Sequence, residues 1–119
     1  MSLVDTGILS LGFSGRVDGA VAHQALVEVR QTLRSRRARL ILCTTLDITE
    51  VQMSSRAAGR ELLEVAKEHG VTASYCAVAS TAVRMIGVAL ALTVGLRVHF
   101  FATMEAARAA ASDLSSLRR

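Results

Sequence analysis

Proline and tryptophan are absent from this chain, aromatic residues make up only 3% of it, and just two cysteines occur. No proline-rich or low-complexity linker and no internal repeat interrupts it, so residues 1–119 are expected to form one domain around one core. One Tyr and three Phe leave little material for a stacking platform, and no nucleic-acid partner is expected. The longest apolar run, 85–96, falls well short of the ~20 residues a spanning helix needs. There is no charged-then-apolar leader either, so a soluble cytoplasmic protein without a membrane span is expected.

Charge of one sign is also scarce. The formal net charge is +4, and its densest cluster is Arg34, Arg36, Arg37 and Arg39. Such a cluster suits a helix C-terminus, where cations complement the dipole; an acidic partner, RNA or anionic lipid are the other uses it allows. Cys43 and Cys76 sit inside apolar runs with no second Cys or His at ligand spacing. They read as buried free thiols in neighbouring strands, and no metal is expected.

What the chain does have is 51% hydrophobic residues, cut by glycines and polar clusters into alternating short and long segments. Residues 8–14 read as a half-buried strand closed at Gly15 and the Asp18-Gly19 pair. Residues 20–36 carry Val21, Ala25, Leu26, Val29 and Leu33 at helical spacing. A buried strand follows at 39–45, then a loop at 47–53. A helix runs from Ser54 or Ser55, either of which can cap it, to His69 and Gly70. Strands at 73–78 and 96–101 bracket a strongly apolar helix at 83–94, opened by Ser80 or Thr81 and closed by Gly95. Thr103 caps a last helix at 104–112. A further strand at 3–6 is left open. Strand–helix alternation implies an α/β fold with a single, mostly parallel sheet of four to five strands and packed helices.

The search for chemistry returns little. His23, His69 and His99 fall at no recognised motif spacing, and residues 12–16 match neither a phosphate loop nor a nucleophile elbow. No catalytic residue and no cofactor is expected, so the protein is read as a non-enzyme. Asp47 comes at the carboxyl end of a buried strand, and the helix beyond it opens with two serines. That end of a parallel sheet is where partners dock, and a helix N-terminus there suits an anion. Ser54, Ser55, Asp47 and Arg56 are the docking candidates.

The helix at 83–94 is apolar almost all round, through Val83, Met85, Ile86, Val88 and Leu92 among others, so all its sides must be covered. A second copy making a homodimer, an apolar or lipid ligand in a cavity, or burial within the domain would each do so.

The segment running from Asp47 through Ser54-Ser55 into a helix, followed by Gly70-Val71-Thr72 and a helix begun at Ser80, resembles the STAS domain of anti-sigma factor antagonists. The close of the chain, with a strand and then an Ala-rich helix at 105–111, is similar to the SpoIIAA-like (STAS/SEC14-like) bacterial branch. The resemblance implies a regulatory module that binds a protein, an anti-sigma-type kinase being the kind of partner. For the branch it also implies a carrier or sensor of an apolar or lipid ligand. The antagonists carry Asp-Ser-Ser-Gly at the central helix; here Met53 replaces the Asp and Arg56 the Gly, and Ser54 matches the phospho-acceptor.

Overall fold

The computed structural model describes residues 3–5 and 7–117, with side chains from 7 to 113. Its order is β1 (Leu3–Asp5), β2 (Ile8–Val17), α1 (Gly19–Ser35), β3 (Leu40–Val51), a 3-10 turn (Met53–Ser55), α2 (Arg56–Glu68), β4 (Ala73–Ala77), α3 (Thr81–Val94), β5 (Arg97–Phe101) and α4 (Met104–Leu117). The strand left open at 3–6 is present as β1; residue 6 lies outside the described residues.

The five strands lie in chain order, β1 antiparallel to β2 and the rest parallel. Right-handed crossovers that step in one direction all place their helices on the same face. Thus α1, α2 and α3 form one layer and α4 lies alone on the other side. Strand alternation divides the core accordingly. Leu9, Leu11, Ile41, Cys43 and Cys76 face Leu26, Val29, Leu62, Val65 and Ala91 of the three-helix layer. Ile8, Leu40, Leu42, Tyr75 and Ala77 face Ala107 and Ala111 of α4. Because the order never reverses, β2 to β5 contain no switch point of the kind that opens a ligand crevice in doubly wound sheets.

Two segments differ from the sequence expectation. Residues 47–51 are strand, not loop, and β2 runs through Gly15 to Val17, so β2 and β3 continue beyond β4 as a two-stranded ribbon. Leu46, Ile48 and Val51 are half-buried while Asp47, Thr49 and Glu50 are exposed, an alternation broken by register shifts at Gly12/Ser14 and Gly15/Arg16. These bulges hid the period-2 signal. At one of them Gly15 takes φ 65°, a conformation costly for any other residue. The last helix also runs on to Leu117, past the expected end at 112.

Helix ends follow local chemistry. Asp18, read from sequence as a turn residue, caps α1 by accepting from the Val21 amide at 3.0 Å. Ser80 and Thr103 cap α3 and α4 in the same way, through the amides of Val83 and Ala106. Gly95 ends α3 at φ 83°, and Lys67 donates to the Val94 carbonyl at 2.8 Å. No helix among the described residues is long and apolar enough to cross a membrane.

Candidate functional site

The turn before α2 ties two helices together. The Ser54 hydroxyl accepts from the Gly19 amide at 3.1 Å, so it serves the N-terminus of α1 and does not cap α2. Ser55 is buried, and its hydroxyl donates to the Gln52 carbonyl at 2.7 Å, so it does not cap α2 either. The capping expected of these serines fails because the 3-10 turn turns both hydroxyls away from the first amides of α2. Ser54 is exposed, as are Met53 and Arg56 beside it. Asp47 is exposed on β3, opposite Ser14 of β2. Ser54, Asp47 and Arg56 are thus surface residues near the carboxyl ends of β2 and β3, and Ser55 is not.

As the last helix of its layer, α3 has a helix neighbour, α2, on one flank only. Although it is the most apolar helix, Ala91 alone is buried. The predicted apolar set therefore divides. Val83 and Ile86 turn inward, Val88 is half-buried, and Met85 and Leu92 are 67% and 75% exposed. With Ala82 and Ala89, Met85 and Leu92 form an exposed stripe at helical spacing. Arg56 of α2 shares a shallow surface hollow with Met85, Ala89 and Thr93. Met53, in the turn just before Arg56, is 76% exposed.

Beneath α2 and α3 lies a cavity of about 170 Å3. Its floor is the inner sheet face, including Cys43, Thr45, Ser74, Cys76 and Phe100, and its roof includes Gly59, Leu62, Ile86, Gly87 and Leu90. Small side chains meet from both layers, so the layers do not fill the space between them. Neither helix glycine was read from the sequence as lining a space. A methyl group at Gly59 would sit 3.5 Å from Leu90 Cδ1, and one at Gly87 3.4 Å from the Phe100 ring. Both are ordinary contacts, so neither position requires glycine for packing. Each costs its helix about 0.5–1 kcal/mol relative to alanine. For Gly87, glycine inside a strongly apolar helix was the available signal.

Cys43 and Cys76 are register partners on β3 and β4, both free and buried, as expected. The hydrogen bond to Cys76, reinforced by burial, pushes the Cys43 thiol well above its usual range. At Cys76 the bond from Cys43 lowers the pKa, with help from the Thr45 hydroxyl and against burial. The histidines stay apart. His23 is exposed on α1, the His69 ring meets the Val65 carbonyl, and His99 stacks edge-on against Tyr75 at 5.0 Å on the α4 side of the sheet. Among the described residues no group of three or more His, Cys, Asp or Glu side chains could hold a metal ion.

One α/β layer order, an antiparallel edge strand and three helices on one face define a STAS-like fold. The solved structure of the anti-sigma factor antagonist SpoIIAA in its unphosphorylated form matches with a TM-score of 0.69. The match covers 92% of this chain and 94% of that one at 12% identity, so the likeness is one of fold. No family model matches the sequence, and no curated protein does.

Proposed function

We propose that this chain is a non-catalytic regulatory module that works by binding a protein partner through the outer face of α3 and the turn before α2. The observation that carries the reading is the exposure of Met53, Met85 and Leu92, three of the four large hydrophobic side chains exposed among the described residues. Exposed apolar side chains grouped on one side of a small domain mark contact surfaces, and methionine adapts readily to a partner. Arg56 adds a charge that an acidic group on the partner would meet. The likeness of fold to an anti-sigma factor antagonist supports an anti-sigma-type kinase as the kind of partner. Ser54, which in the sequence matches the phospho-acceptor of the antagonists and is exposed here, is the residue whose modification would control docking. A homodimer through the same α3 face is the second reading, favoured by the absence of any charged side chain on the stripe of Ala82, Met85, Ala89 and Leu92.

The test is photocrosslinking in the source cell from Met85 and Leu92, with Arg108 on the opposite side of the sheet as control. Adducts with another protein at the first two positions support the main reading, and adducts between copies support the second. Affinity for the captured partner should fall at least tenfold in Met85→Glu and Leu92→Glu. Adducts equally frequent from Arg108, or unchanged affinity in both variants, would overturn the reading.

A further inference from the structure

The pocket under α2 and α3 differs from the other hollows in its lining. Its exposed lining is almost entirely apolar, and of the three hydroxyls on it two are already engaged, leaving that of Ser74 on the floor. Thr45 donates to the Ala77 carbonyl at 2.9 Å and Ser55 to that of Gln52. A trapped water needs two to four polar partners, and the roof offers only aliphatic carbon and the two glycines. The space therefore suits an occupant that is almost wholly apolar, with at most one hydrogen bond to make, at Ser74.

Its size narrows the class. An engineered apolar cavity of about 150 Å3 in another protein stays dry and binds benzene or xenon. Sites that enclose drug-sized ligands start at about 300 Å3. At about 170 Å3 this cavity holds one ring with a small substituent, and it is too small for a whole lipid. That argues against the lipid-carrier reading of the sequence.

Two further features point to use of the space. The first is that alanine would fit at both Gly59 and Gly87 and would favour either helix, yet glycine stands at each, and both positions face this one cavity. The second is a route in. Ile86 and Leu90 line the cavity and also the outer hollow beside Arg56 and Met85, so the two spaces meet at these side chains. They stand on the edge helix, whose outer flank has no neighbouring helix to hold it.

We infer that the space between the sheet and α2–α3 is a binding site for a single small apolar molecule of about one ring, entered past Ile86 and Leu90 and left open by Gly59 and Gly87. The site opens beside Arg56 and Met85 of the protein-docking face but lies beneath it, and it does not depend on that reading.

The probes are benzene, toluene and hexadecanoate, added to the full chain and followed by calorimetry and by NMR contacts from probe protons to protein side chains. Benzene or toluene should bind one to one and saturably, with contacts to Ile86, Leu90 and Phe100, while hexadecanoate should not. The double variant Gly59→Ala/Gly87→Ala, which adds two methyl groups to the roof without a clash, should weaken binding at least tenfold. Val83→Phe, which fills the space from the start of α3, should do the same. No saturable binding of benzene or toluene by the folded wild-type chain would overturn the proposal. So would contacts confined to the outer stripe of Met85 and Leu92, equal binding of hexadecanoate, or unchanged affinity in both filled variants. Should both variants unfold, the wild-type contacts decide by themselves.

Discussion

Ser54 Oγ stands 3.1 Å from the Gly19 amide and so joins the turn before α2 to the first residue of α1. A carbon added at Gly19 would approach the Ser54 carbonyl oxygen to 3.1 Å, so the two backbones are closely seated as well. Ser54→Ala should cost about 0.5–1 kcal/mol in urea denaturation, since it removes one exposed bond at a helix N-terminus.

Ser54→Asp should remain folded and within about 0.5 kcal/mol of wild type. The carboxylate still accepts from Gly19 and gains from the positive end of α1, while Asp18 next to it offsets part of that gain. If Ser54 is the control point, this variant lowers partner affinity while the melting curve stays in place. Equal affinity measured by calorimetry would leave the residue a structural tie.

Gly59→Ala and Gly87→Ala should each stabilise the fold by about 0.5–1 kcal/mol, since the methyl groups meet Leu90 and Phe100 at ordinary distances. Gly95→Ala should do the opposite, by about 1–2 kcal/mol. Its φ is 83°, and the new carbon would come within 2.9 Å of Lys67 Nζ, the group that caps α3. Denaturant midpoints of the three variants give the comparison, and equal signs would contradict it.

The two faces of the helical layer should respond differently to truncation. Leu26 is fully buried against the sheet, and Leu26→Ala should cost about 2–5 kcal/mol. Leu92→Ala should change stability by less than about 0.5 kcal/mol, and Leu92→Glu should stay folded, because the side chain lies on the open flank of α3. Val88→Glu should cost more than Leu92→Glu, since Val88 is half-buried.

Cys76 should be the faster of the two thiols towards a small reagent such as methyl methanethiosulfonate near neutral pH. The thiolate is the nucleophile, and the Cys43 hydrogen bond favours it at Cys76, while Cys43 is held protonated to higher pH. Removing the donor in Cys43→Ala should move the pH midpoint of Cys76 modification upward. Cys43→Ser, which retains a donor, should bring it part of the way back. Mass spectrometry across pH 6–10 gives both rates, and a midpoint indifferent to residue 43 would contradict the assignment.

The sequence by itself determined whatever depends on neighbours a few positions away. Apolar spacing marked α1, α2 and α3, Thr103 announced α4 and Ser80 the start of α3, Gly70 and Gly95 the ends of α2 and α3, and the short apolar runs around Cys43 and Cys76 the central strands. Where the local signal was interrupted it misled: bulges beside Thr49 and Gly15 broke the alternation, and 47–51 read as loop. Which strand lies beside which is a long-range matter that no such pattern carries. Tertiary structure decided it by stepping the parallel strands one way, and crossover handedness then placed α1, α2 and α3 on one face with α3 at the edge. From that placement come the exposed Met85 and Leu92, the bond between Ser54 and Gly19 across 35 positions, and the cavity where Gly59 and Gly87 meet Cys43 and Cys76. Each is a meeting of residues from separate elements, settled only when the apolar faces of sheet and helices close on one another.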